Sequence, residues 1–416
     1  MNLVCSRRWL VSATQSAYMF GRMVGATIYG HLSDRFGRRP SLMLSVVLSL
    51  LACTSLAWIS NVYLFLIVRF FSGIQTTGEF QIAFVIGRTF SHSHVYETGT
   101  FGQITWSVGL VILSLIAYFV RERFWLQVTL SFPLSLLLLI FFFVPESPRF
   151  LLSAGRKDEC IKHLRKMAKI NNVEFPADVE HQLKADRKVK NFTLLDLFQY
   201  PNIRRSTFLL MAAWSFSGSF VYYGLSLNAT SISGDPYLNF FLSALVEVPA
   251  YALAVPLLSR LGRIQPISGC YLAVGLLMFI SIFISNDILV TILSTLGKGL
   301  MTCGYGMVYI TTAELYPTRL RSIGFGTCII SARFAATLAP FTSDLLAVWR
   351  HLPSILFSAI ALISSCLVQF LPDASDQPLP QTLEEGELFN SSGKRCPVWS
   401  VIDTSHLTLS LTCALI

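Results

Sequence analysis

Charge is scarce in this chain, and so are ordered cysteine patterns and acidic runs. Only 13% of its 416 residues are Asp, Glu, Lys or Arg, whereas 53% are hydrophobic and the mean hydropathy is +0.58. So little polar surface cannot cover a water-soluble globule of this size, which excludes a soluble enzyme or soluble binding module. The nine cysteines are scattered; Cys53, Cys270, Cys303, Cys328 and Cys366 fall within apolar stretches, as small packing residues do. Neither a disulfide framework nor metal-ligand spacing is present, so no metal or cofactor is expected. A nucleophile elbow and a phosphate-binding glycine loop are also missing, and no catalytic residue is assigned.

What the chain has instead is apolar length. Crossing a hydrocarbon core of roughly 30 Å takes about 20 helical residues. Eleven such stretches occur, at 11–28, 42–59, 62–86, 101–120, 126–144, 208–227, 237–258, 267–284, 288–312, 323–348 and 352–371. The spacing predicts an all-α membrane protein with eleven transmembrane helices. The opening "MNLVCSRRWL" runs straight into a span-length segment containing Arg22, unlike a cleavable leader.

The net charge of +9 follows from topology rather than nucleic-acid binding. If residues 30–40 are cytoplasmic and the spans alternate, the inner side holds Arg35, Arg38, Arg39, Arg88, Arg260, Arg263, Arg319, Arg321, Lys394, Arg395 and thirteen further Lys and Arg between 145 and 205. The outer side holds Arg7, Arg8, Arg121, Arg123 and Arg350. This is the positive-inside bias. On that outer side Asn228, in "NAT", is the candidate glycosylation site.

A polar interruption divides the chain into a first bundle (1–144, five helices), a linker (145–205), a second bundle (206–371, six helices) and a tail (372–416). Within the linker, Ser147-Pro148 reads as a helix start, and Ile161, Leu164, Met167 and Ala168 recur at helical spacing against a basic face. The halves repeat each other. "RFGRR" (35–39) matches "RLGR" (260–263), Arg69 of "VRFFSG" matches Lys298 of "LGKGL", and Pro145 of "VPESPR" matches Pro372 of "LPDAS", at offsets of 225, 229 and 227. Duplicated bundles around a midplane cavity are an architecture of secondary transporters.

"GHLSDRFGRRP" (30–40), together with Arg69 and Gly73, resembles the motifs of the major facilitator superfamily. "VPESPRFLLSAGR" (144–156), "YYGLSLN" (222–228), "FLSALVEVPAYALA" (241–254), "AELYPTRLRSIGFG" (313–326) and "DQPLPQTLEEGE" (376–387) resemble its organic ion transporter family, nearest the carnitine and zwitterion branch. The resemblance covers residue 3 to about 387. It implies that a first helix and most of a large extracellular loop precede "NLVC" in the family, and that the protein resides in the plasma membrane with linker and tail cytoplasmic.

Charges inside spans cost several kcal/mol and are turned inward, paired or set along a solute path. Arg22, Arg69, Glu79, Glu247, Lys298 and Arg333 are the candidates. The resemblance implies a substrate role for Arg333, since family members that carry anions or carnitine have arginine at that helix position. A fixed guanidinium that grips carboxylates through two hydrogen bonds suits an anionic or zwitterionic cargo; the alternative is an interhelical ion pair, with Glu247 as the partner. Glu247, near Pro249, is a candidate for a cationic group or coupling ion, with Tyr222, Tyr223, Tyr305 and Tyr309 as aromatic walls.

At residues 30–40, Gly30 and Gly37 are expected to permit a tight cytoplasmic turn. The resemblance implies a charge network there that gates rather than binds: Asp34, Arg35, Arg38 and Arg39, with Glu146, Arg149, Glu314, Arg319 and Arg321. The family's glutamate just past the helix that carries Arg69 and Gly73 is absent, and Arg88-Thr89 stands there. The leading expectation is a carrier of small organic ions working by alternating access across the bilayer. A sugar porter of the same superfamily is an alternative. So is a shortened, non-transporting product that only binds partners, because the family's first helix is not in this sequence.

Overall fold

In the computed structural model the described residues are 7, 9–90, 95–139, 144–170, 194–228, 235–317, 320–346, 348–373, 380 and 383–392. They contain helices and turns but no strand. The first group comprises α1 (Trp9–Phe36), α2 (Arg38–Trp58), α3 (Val62–Phe90), α4 (Val95–Phe119) and α5 (Arg123–Leu137). Two short helices follow, α6 (Pro148–Ser153) and α7 (Lys157–Ile170), and then α8 (Leu194–Gln199). The second group comprises α9 (Pro201–Asn228), α10 (Pro236–Leu261), α11 (Ile264–Ile282), α12 (Asp287–Leu315), α13 (Arg321–Leu338, extended by a 3₁₀ turn and Thr342–Leu345) and α14 (Leu352–Val368). A tail helix, α15 (Leu383–Ser392), ends the described chain.

Among the described residues, each of the eleven apolar stretches overlaps a helix. Seven of these helices are long and apolar enough to cross a membrane by length and composition. Side-chain caps fix three helix starts: Asn61 accepts from the Tyr63 amide at 2.9 Å, Asp235 from Tyr237 at 2.9 Å and Asn286 from Ile288 at 3.0 Å.

Within the first group α1 packs on α3 and α2 on α3 and α5; within the second, α11 packs on α12 and α14, and α9 on α13 and α14. The two groups meet along α1 against α13 and along α4 against α10. Glycine sets the closeness of the α1–α3 contact. A Cβ at Gly73 would lie 2.1 Å from the Tyr18 carbonyl oxygen, and one at Gly21 2.1 Å from the Phe70 carbonyl oxygen. Small residues that let backbones approach are how apolar helices associate where lipid supplies no hydrophobic drive.

Two helices depart from regular pitch. Ala213–Val221 of α9 winds as a π-helix, and α10 is interrupted by a turn at Val246, just before Glu247 and Pro249. Both irregularities lie beside the charged side chains considered below, as wide turns and proline breaks in helices commonly do. At the start of α9, the tail helix supplies a cap from far along the chain: Glu387 accepts from the amides of Asn202 (2.9 Å) and Ile203 (3.1 Å), while Ser206 donates to Asn390 (2.6 Å).

Two expectations change here. Gly30 is not part of the turn, because α1 continues through it to Phe36; Gly37 alone makes the bend, with φ of 107°. Asn228 ends α9 at 6% exposure, with its amide nitrogen buried in this arrangement. Ser147 precedes α6 as expected, and Ile161, Leu164, Met167 and Ala168 are half-buried on one side of α7.

Candidate functional site

Arg22 lies midway along α1 and Arg333 midway along α13, and the packing of these helices brings both guanidinium groups to one hydroxyl. Arg22 Nη1 donates to Tyr223 Oη at 3.5 Å, and Arg333 Nη1 donates to the same oxygen at 3.3 Å. Arg22 is 3% exposed and its Nε has no hydrogen-bond partner. Its other neighbours are aromatic, with Tyr18 and Trp106 ring centroids at 6.0 and 5.7 Å from Cζ. Arg69 on α3 adjoins this cluster, 5.3 Å from the Tyr18 centroid and 5.9 Å from Phe65. Such cation–π contacts offset part of a guanidinium's desolvation without cancelling its charge.

The remaining cation at this depth is neutralised. Lys298 of α12, 1% exposed, pairs with Glu247 of α10, 0% exposed, at 2.7 Å. Lys298 also donates to Ser243 Oγ at 2.8 Å. Glu247 accepts from Tyr222 Oη at 2.9 Å and, across the seam between the two groups, from Ser107 of α4 at 3.0 Å. The pairing considered for Arg333 is therefore corrected: Glu247 serves Lys298, because the α10–α12 contact puts the two a bond apart while Arg333 faces α1 and α9. Full burial within this set of donors also withdraws Glu247 from contact with a solute in this arrangement. Lys298 and Arg69, equivalent in the repeat, consequently differ in their partners.

None of the ion pairs among the described residues involves Arg22, Arg69, Arg333 or Glu79. Glu79 on α3 lies beside Ser49 of α2, and its Oε1 has no hydrogen-bond partner. Of the six charges inside spans singled out from the sequence, four are cations and two are carboxylates.

The tyrosines named from the sequence come together. Tyr222 and Tyr223 adjoin at 5.1 Å, Tyr222 stacks on Tyr305 at 6.1 Å, and Tyr305 meets Tyr309 edge-on at 5.2 Å. Lys298, Tyr305 and Tyr309 share one face of α12 by their seven- and four-residue spacing. Trp214, missed in the sequence reading, closes the cluster 4.2 Å from Tyr309 and donates to Thr312 at 2.8 Å. Trp106 and Tyr18 were missed as well. A signal existed for Tyr18, which stands one helical turn before Arg22.

On the side of residues 30–40, the network divides by half. Asp34 pairs with Arg38 at 2.9 Å, and Arg38 Cζ lies 5.6 Å from the Phe150 ring. Glu146 caps the start of α2, accepting from the amides of Arg38 (3.0 Å) and Arg39 (3.1 Å) as well as its neighbour Ser147 (2.9 Å). In the second half Asp373 accepts from the Arg263 amide at 3.3 Å at the start of α11, and Arg263 pairs with Glu314 at 2.8 Å. Gly37 and Gly262, with φ of 107° and 83°, turn the chain before each capped helix. Arg35 is exposed beside Phe36, Arg321 opens α13, Arg149 lies on α6 with its side chain outside the described residues, and Arg319 lies outside them altogether. Glu146→Ala is expected to lower stability by about 1–2 kcal/mol, the value of a helix cap, with unchanged ligand affinity. Thermal unfolding beside a binding isotherm checks this; a weakened affinity at unchanged stability would contradict a capping role.

Among the described residues no three His, Cys, Asp or Glu side chains group to hold a metal ion.

The sugar (and other) transporter family matches residues 6–371. An organic cation transporter protein of Drosophila melanogaster is 36% identical over 402 residues, covering 93% of this chain and 73% of the relative. Solute carrier family 22 member 1 of Bos taurus is 36% identical, covering 98% of this chain and 73% of the relative. Among solved structures, the inward-open xylose transporter XylE from E. coli superposes with a TM-score of 0.72 at 16% identity, over 92% of this chain and 89% of the other. At that identity the likeness establishes the fold alone.

Proposed function

We propose, because this chain belongs to the sugar (and other) transporter family of the major facilitator superfamily, on its organic ion (solute carrier family 22) branch, that its cargo carries a carboxylate. The chain is a multi-pass membrane transporter and not an enzyme; the proposal concerns what it moves. One observation carries it: Arg333 is a half-buried guanidinium at mid-helix whose polar partner is a neutral phenol, Tyr223. A charge kept at that depth without an acid stays favourable when an anion completes it.

Small organic anions or zwitterions of the carnitine type are the cargo in this reading. Arg333 grips the carboxylate, and Tyr223, Tyr305 and Tyr309 supply the walls. The bundles 1–144 and 206–371 rock about the α1–α13 and α4–α10 seams, with the linker and tail on the cytoplasmic side of the plasma membrane. A second reading, an organic cation as cargo, draws on the names of the relatives and on the tyrosine faces. Against it, Glu247, the acid nearest those tyrosines, is occupied by Lys298.

Arg333→Asp decides between them. Carboxylate binding and uptake are expected to fall at least about a hundredfold, the worth of a charged bidentate contact turned repulsive, with surface abundance retained. Unchanged carboxylate uptake, or tight tetraethylammonium binding by the unaltered chain with none of carboxylates, would overturn the reading.

A further inference from the structure

Arg22 has no place in the account above, and its surroundings are more unusual than those of Arg333. It is buried, bonded to a phenol, flanked by rings, and keeps an unpartnered Nε. We propose that Arg22 and Arg333 form a single two-cation clamp across the α1–α13 seam, and that its occupant is a compact organic dianion with one anionic group on each guanidinium. The inference rests on the reading of Arg333 as a carboxylate contact and adds a second contact to it.

Both guanidinium groups donate to the same oxygen, at 3.5 and 3.3 Å, so their Nη1 atoms are no more than about 7 Å apart. A neutral phenol has two acceptor lone pairs, and here both arginines draw on that one oxygen. Tyr223 thus holds two like charges near one another without neutralising either. A monoanion would leave one of them uncompensated in a water-poor site, which is the costly state of a buried ion. A dianion completes both.

The spacing limits the dianion's size. A four-carbon diacid places its carboxyl carbons roughly 4 Å apart at ordinary C–C lengths, and side-on guanidinium pairing adds the reach from each carboxylate to its arginine. The edge of Arg22 that includes the unpartnered Nε is the donor edge such a pairing uses. Lys298 does not compete for the ligand, because Glu247 already holds it. Arg69 lies 5.3 Å from the centroid of the same Tyr18 ring that touches Arg22, which places a third guanidinium near the clamp; no hydrogen bond links it to Tyr223.

Succinate and succinamate, which differ only by one carboxylate made amide, test the proposal on the full chain in lipid nanodiscs by equilibrium binding. Succinate is expected to bind at least about tenfold more tightly. Arg22→Gln is expected to remove that gap by weakening succinate alone, leaving succinamate within about twofold of its original affinity. Arg333→Gln is expected to weaken both. Equal affinity of the unaltered protein for the two ligands overturns the dianion clamp while leaving the Arg333 reading intact, as does an Arg22→Gln variant that weakens both ligands alike. If neither ligand binds the unaltered protein while carnitine does, the clamp falls and the Arg333 reading stands; if carnitine does not bind either, both fall. The comparison on the unaltered chain stands even if Arg22→Gln does not fold.

Discussion

Lys298→Met alone is expected to lower stability by about 3–5 kcal/mol, the measured range for removing one partner of a buried ion pair. The loss comes from what remains. Glu247 is 0% exposed, and without the ammonium at 2.7 Å it keeps only the Tyr222 and Ser107 hydroxyls. Two neutral donors do not offset the desolvation of a carboxylate. The double variant Lys298→Met with Glu247→Gln removes both charges, and the amide still accepts from Tyr222 or Ser107, so it is expected to recover more than half of the loss. Thermal unfolding of the detergent-solubilised protein, read for both singles and the double as a mutant cycle, checks this. If the double variant is as unstable as the sum of the singles, the two charges do not act as a pair.

Gly73→Leu is expected to abolish accumulation of folded protein, at a cost above about 4 kcal/mol. Its Cβ would lie 2.1 Å from the Tyr18 carbonyl oxygen and 3.1 Å from the Arg22 amide nitrogen. Both are backbone atoms of α1, which cannot swing aside as a side-chain tip does, so relief requires parting α1 from α3. That would also displace Tyr18 and Arg22 from the central cluster. Gly102→Ala is the control: nothing lies within 4 Å of its Cβ position, and alanine's better helix propensity makes it neutral or slightly stabilising. Size-exclusion profiles of the two variants beside the unaltered chain distinguish them. A monodisperse Gly73→Leu peak would mean that α1 and α3 do not approach as described.

Apolar length located the long helices among the described residues, because a predominantly apolar run of about 20 residues admits one reading in a bilayer. Its ends were less legible. The motif at 30–40 read as a loop from its charges, yet α1 runs through Gly30 to Phe36, since arginines and aspartate at a membrane surface are compatible with helix. The repeat was more informative than any single motif. Glu146 and Asp373, found at the same offset, both cap the helix that follows a positive-φ glycine. The tyrosine cluster was readable as composition near charge. The partner of Glu247 was not, because Lys298 lies 51 residues away on a separate helix and nothing in a single sequence marks which buried cation meets which buried acid. Arg22 stood out as a charge inside a span; only the fold shows that it converges with Arg333.

The wide segment Ala213–Val221 in α9 bears on how that convergence is held. A residue in an α-helix advances about 100° around the axis, so absorbing one extra residue sets the azimuth of everything beyond it. Tyr222 and Tyr223 follow immediately. Were the segment to tighten to ordinary pitch with both helix ends anchored, the two phenols would swivel by about 100°, carrying one oxygen out from between two arginines and the other away from Glu247. A loosened coil of nine residues thereby sets the angular position on which both polar assemblies depend.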